Sequence, residues 1–87
     1  MTMERHAACF VKLRPGLWDV WSYATGIYRG RVVKRPGRWP RGHWRGIPNK
    51  LKGHERWAPD RPIEGYFRTR NEAARALLRH AGEETDD

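Results

Sequence analysis

Residues 34–46 read KRPGRWPRGHWRG and hold the densest set of chemically capable side chains in the chain. The segment has one Lys, four Arg, one His and two Trp, spaced by three Gly and two Pro, with no acid and no aliphatic residue. A guanidinium offers paired hydrogen bonds to a phosphate or to the O6/N7 edge of guanine, and an indole offers a flat stacking face. Arg29 and Arg31 stand just upstream. Together, Arg29, Arg31, Lys34, Arg35, Arg38, Trp39, Arg41, Trp44 and Arg45 form a candidate nucleic-acid-binding set. The competing reading is a solvated loop with its two Trp folded inward. Of these two, at least one is expected in the core.

Other chemistries find little support. His6, His43, His54, His80 and Cys9 do not fall at metal-ligand spacing, and neither C-x-x-C nor H-x-x-x-H occurs, so no metal or other cofactor is expected. There is no G-x-S-x-G elbow and no phosphate-binding P-loop, which points to a non-enzymatic chain. Gly26-Ile27-Tyr28 matches the first triplet of GIY-YIG nucleases, but no second triplet follows. Cys9 sits in AACFV and reads as a packing residue; as the single cysteine it excludes an internal disulfide and fits a reducing compartment.

The charge balance agrees with a polyanionic partner. The formal net charge is +8 over 87 residues, with a sequence pI near 10.6. The balance is uneven: residues 83–87, EETDD, carry four acids, which leaves 18 bases against six acids, a net +12, in residues 1–82. Arg outnumbers Lys 14 to 4, a bias that GC-rich coding also produces. No apolar run is long enough to span a membrane and the first residues lack a signal-peptide core, so a cytoplasmic protein is expected. Hydrophobic residues make up 38%, so the core must be modest, and a monomer or weak homodimer is expected.

These side chains need elements to position them. Residues 1–13 read as an N-terminal arm or short strand. Arg14-Pro15-Gly16 signals a turn into LWDVWSY, residues 17–23, a strand with Trp18 and Val20 on one face and Leu17, Trp21 and Tyr23 on the other. After Ala24-Thr25-Gly26, IYRGRVVKR forms a second strand. Its alternation predicts Tyr28, Gly30 and Val32 facing inward and Arg29, Arg31 and Arg35 facing outward. HWRGI, 43–47, predicts a third strand, ended by Pro48-Asn49. Residues 49–62 read as a loop, with one helical turn in KLKGHERW and Trp57 pinning it to the core.

IEGYF, 63–67, leads extended into the clearest signal, RTRNEAARALLRHAG. Thr69 with Glu72 three residues later makes a capping box, Ala73, Ala74, Ala76, Leu77, Leu78 and Ala81 make an apolar stripe, and Gly82 marks the stop. Arg70, Arg75 and Arg79 are expected on the outer side. The sum is an α+β fold: a small three-stranded antiparallel sheet backed by one C-terminal helix, spanning 14–82, followed by a disordered acidic tail over 83–87.

Tyr28-Arg29-Gly30, the Trp after the Arg-Pro turn at 36–39, and G-x-F-x-T-x-x-E-A-A-x-A at 65–76 resemble the AP2/ERF DNA-binding domain. The arm-site domains of tyrosine recombinases are similar in architecture. Both resemblances imply a three-stranded sheet entering the major groove, with strand Arg and Trp meeting bases and phosphates. F-x-T-R-x-E-A-A-x-A-L-L also resembles small proteins of actinobacterial phages. The expectation is therefore a double-stranded DNA-binding protein that works through an Arg/Trp-rich open sheet face. The alternatives are a phage-type module that binds a host protein, since Trp and Arg also dominate protein interfaces, and an RNA binder that stacks single strands.

Overall fold

Val20, Val32, Leu77 and Leu78 have almost no exposed surface, and they set the architecture: two strands and one helix must meet there. Each such side chain contributes about 1.5–3 kcal/mol by leaving water. A computed structural model describes residues 8–51 and 56–83. Its elements run β1 (Ala8–Arg14), β2 (Leu17–Ser22), β3 (Tyr28–Lys34), β4 (Trp44–Pro48) and α1 (Arg70–His80). The strands form one antiparallel sheet in the order β1-β2-β3-β4, with α1 packed on β3, β4 and β1. The α+β class stands, but the sheet has four strands where three were expected.

The added strand is β1. It pairs with β2 from Ala8 opposite Ser22 to Arg14 opposite Leu17. Alternation turns Ala8 and Phe10 toward α1 and leaves Cys9 exposed on the other side, so the expectation that Cys9 packs inside is corrected. On β2, Trp18, Val20 and Ser22 take the helix side.

The helix side is close-packed because its residues are small. Ala73 and Ala74 are buried, and a side chain at Gly46 of β4 would press on the Ala73 carbonyl and on Leu77. The predicted cap is present: the Glu72 amide donates to Thr69 Oγ1 at 3.1 Å, and Glu72 Oε2 accepts from the Arg68 amide at 3.3 Å. At the far end the Gly82 amide donates to the Arg79 carbonyl, and Gly82, at φ +84°, turns the chain so that the Glu83 amide reaches the Leu78 carbonyl. Arg70 does not face outward as expected. It lies over the rings of Phe10 and Trp18, at 4.0 and 4.3 Å, and seats the first turn of α1 on β1 and β2.

The outer edge of β4 is covered by the chain leading to α1. Ile63 donates to the Gly46 carbonyl, and Trp44 and Phe67 exchange backbone hydrogen bonds at 2.9 and 2.7 Å. This cover hides the edge from other strands. The readings for residues 1–7, for the helical turn through 52–55 and for the tail beyond Glu83 lie outside the described residues.

Candidate functional site

With α1 on one side, the sheet presents an outer face made by the alternate residues Asp19 and Trp21 of β2, Tyr28, Arg31 and Val33 of β3, and Arg45 and Ile47 of β4. One local irregularity decides which arginines belong to it. The β2–β3 register passes from Val20 opposite Gly30 to Trp21 opposite Tyr28, so Arg29 is an extra, bulged residue. Gly30, at φ +141°, makes this conformation accessible, and any side chain there would collide with the Ile47 carbonyl.

The bulge corrects the expected faces of β3. Tyr28 lies with Arg31 rather than with Val32, and Arg29 turns to the helix side. There Arg29 Nε donates to Glu83, whose other carboxylate oxygen accepts from the Ser22 hydroxyl. The ion pair is largely shielded, with side-chain exposures of 16% and 14%. Glu83, expected to open a disordered tail, is instead anchored.

At one end of the outer face, Asp19 Oδ1 accepts from the Tyr28 hydroxyl and, at 2.9 Å, from Arg31 Nε. Trp57 closes over this cluster. Its ring lies 4.6 Å from the Arg31 guanidinium carbon and edge-on to Tyr28, so it pins its loop to the outer face and not to the core as expected. Trp21 also packs on Tyr28, ring centroids 4.8 Å apart. Burial and the hydrogen bond to Asp19 push the Tyr28 phenol well above the ordinary tyrosine value. Burial works against the charge on Arg31, but the bonds to Asp19 and the Tyr28 hydroxyl outweigh it and hold the guanidinium above its usual value.

At the other end no acid among the described residues pairs with an arginine. The Arg35 guanidinium lies over two rings, 3.7 Å from Trp39 and 3.6 Å from Tyr66, and one terminal amine donates to the Gly42 carbonyl at 2.9 Å. Arg45 also lies over Tyr66, at 4.8 Å. Neither guanidinium has an ion pair among the described residues. Arg35 Nε, Arg45 Nε and His43 Nδ1 are buried without a hydrogen-bond partner. The connection between β3 and β4 folds around this stack: the Arg35 amide donates to the His43 carbonyl, Trp39 Nε1 to the Pro36 carbonyl, and the Gly42 amide to the Trp39 carbonyl. Arg38 and Arg41 are exposed on the same connection.

The candidate set is thus divided. Arg35, Trp39 and Arg45 come together, with Arg38 and Arg41 beside them on the loop. Arg29 and Arg31 are tied to acids. Trp44 packs against the core on the helix side, and Lys34, its register partner, alternates to that side as an exposed residue at the strand end. Two members were missed by sequence reasoning, Asp19 and Tyr66. A lone acid inside the aromatic strand LWDVWSY was the available signal for Asp19. For Tyr66 it was the alternation with Phe67, which packs against the core.

Among the described residues no group of three or more His, Cys, Asp or Glu could hold a metal ion. No helix among them is long and apolar enough to cross a membrane. Compared with known protein families, curated proteins and solved structures, the chain matches none.

Proposed function

We propose that this chain is a non-enzymatic double-stranded DNA-binding module whose contact surface is the Tyr66 end of the outer face together with the β3–β4 connection. The observation that carries this reading is the pair Arg35 and Arg45, two guanidinium groups without an acidic partner among the described residues, stacked on Tyr66 and set beside the exposed Arg38 and Arg41. Stacking on aromatic rings orients a guanidinium without neutralising it, which keeps the charge available to phosphate.

Duplex DNA fits better than a single strand. Single-strand binders stack unpaired bases on free aromatic faces. Among the described residues only two rings are largely exposed, Trp39 at 44% and Tyr23 at 65%, while Tyr66 stacks on Arg35, Trp57 on Arg31 and Trp21 on Tyr28. The sheet-in-groove docking of the AP2/ERF and arm-site domains, which the helix motif resembles, is the arrangement this reading adopts. Arg29 and Arg31 leave the contact set and become structural.

The test is binding to a duplex across a salt series. Four phosphate contacts, from Arg35, Arg38, Arg41 and Arg45, give a log–log slope of about −3.6 and a loss of affinity of roughly 100-fold between ~50 and ~200 mM salt. A flat salt response, or no complex at low salt, overturns the proposal. A second reading, a protein-interaction module, is favoured by Val11 and Leu13, which are 50% and 43% exposed on the edge strand β1. Recovery of one acidic protein partner after nuclease treatment, with no duplex binding, supports it.

A further inference from the structure

We infer that Arg35 and Arg45, stacked on Tyr66, form with His43 a discrete oxyanion seat; the duplex reading above, on which this assignment of the natural ligand rests, makes that ligand one backbone phosphate. Three independent features point to it. The first is charge. Two guanidinium groups lie over one ring, at 3.6 and 4.8 Å from its centroid, and no carboxylate among the described residues pairs with either. Two guanidinium charges stacked on the same ring repel each other, and a bound anion offsets that repulsion.

The second feature is hydrogen bonding. Buried polar atoms in folded chains almost always have partners, yet three nitrogens of this cluster have none: Arg35 Nε, His43 Nδ1 and Arg45 Nε. His43 and Arg45 are two residues apart on one extended segment and so share a side, and Arg35 is backbone-paired to His43. Their side chains therefore stand on one side of adjacent extended segments. Elsewhere on the same sheet the equivalent need is met, because Asp19 takes Arg31 Nε and Glu83 takes Arg29 Nε. No carboxylate among the described residues does the same for Arg35 or Arg45, the role that an oxyanion from outside would take.

The third feature is preorganisation and access. Trp39 and Tyr66 cover Arg35, and the Gly42 carbonyl holds one of its terminal amines. The guanidinium plane is thereby fixed before any ligand arrives, which lowers the entropy lost on binding. Arg35 also lines a shallow cleft with Lys34, Pro15, Gly16, Pro36 and Gly37, which gives this one guanidinium an approach from solvent. The same chemistry accepts free phosphate or a phosphodiester, so the test must separate the two.

In the first arm the protein is titrated with inorganic phosphate and, at matched ionic strength, with chloride, while the arginine Nε–H resonances are followed by NMR. Saturable shifts at Arg35 and Arg45 are expected with phosphate only, with binding at least about tenfold weaker in Arg45→Gln. In the second arm a duplex of about 20 base pairs is titrated at low salt, and Arg45→Gln should bind about tenfold more weakly. Equal shifts with chloride, or unchanged phosphate binding by Arg45→Gln, overturn the seat even where the duplex still binds. Saturable phosphate binding that depends on Arg45, without any duplex complex, supports the seat for free phosphate and overturns the duplex reading. Should Arg45→Gln fail to fold, Arg45→Lys keeps the charge but not the planar fork, and it should recover less than half of the lost phosphate affinity. Full affinity in that variant overturns the seat.

Discussion

The two ends of the outer face use the same side chains for opposite purposes. At the Asp19 end, an arginine, a tyrosine and two tryptophans close around one carboxylate, and the positive charge of Arg31 is answered within the fold. At the Tyr66 end, two arginines, a tyrosine and a tryptophan assemble, and no carboxylate among the described residues pairs with them. Aromatic stacking supports both clusters. The difference is one acid, and it separates an arginine whose charge is paired within the fold from arginines with no ion pair among the described residues. Composition cannot make this distinction, because Arg29, Arg31, Arg35 and Arg45 look alike in a count of basic residues.

The largest way to break the contrast is at Gly30. Gly30→Ala puts a Cβ against the Ile47 carbonyl and forces the backbone out of φ +141°. The expected cost is about 3 kcal/mol or more, measured by urea unfolding. The bulge that separates Arg29 from Arg31 would be lost with it. An alanine variant of parental stability would show that the bulge does not depend on glycine.

A paired comparison comes next. Asp19→Ala strands a partly shielded Arg31 and frees the Tyr28 hydroxyl, at an expected cost of about 2–3 kcal/mol, below the full value for a buried pair because Arg31 is 27% exposed. Duplex affinity should not fall. Arg45→Gln should do the reverse, changing stability by about 0.5 kcal/mol or less while weakening the duplex. Equal effects of the two variants on both measurements would erase the distinction between the ends.

The smallest effect is in alkaline solution. The Tyr28 phenol is held above the ordinary tyrosine value in the fold, so its proton stays bound where an unfolded tyrosine would release it. The stability this provides is fully present below the unfolded value of about 10 and is lost as pH rises beyond it, at up to about 1.4 kcal/mol per pH unit. The tyrosinate absorbance should show one phenol that ionises only together with unfolding. Asp19→Ala should bring that step to lower pH.

How much of this was legible in the sequence depended on the range of the interactions. The helix could be read closely because Thr69, Glu72 and Gly82 act within a few residues of one another. β2, β3 and β4 were legible from β-branched and aromatic runs. β1 was read as an arm or strand, because ACFVKLR joins the sheet only by pairing with β2. The faces of β3 were misassigned at Tyr28 and Arg29. Strict alternation predicts them wrongly because the bulge depends on the approach of Ile47, which belongs to another strand. The KRPGRWPRGHWRG segment was recognised as the place to look, but Tyr66, which organises it, arrives from residues far along the chain.

The turn that ends α1 also bears on how the chain is made. The sheet is a meander of neighbouring strands, a topology that assembles early and quickly because each pairing is local. Glu83 reaches back to Arg29 across 54 positions and to Ser22 across 61. During synthesis the sheet precursor therefore carries Arg29 without its counter-charge until the helix and its closing turn have emerged. For that interval the nascent chain is more strongly basic than the finished one, and the helix turn is the step that removes the excess.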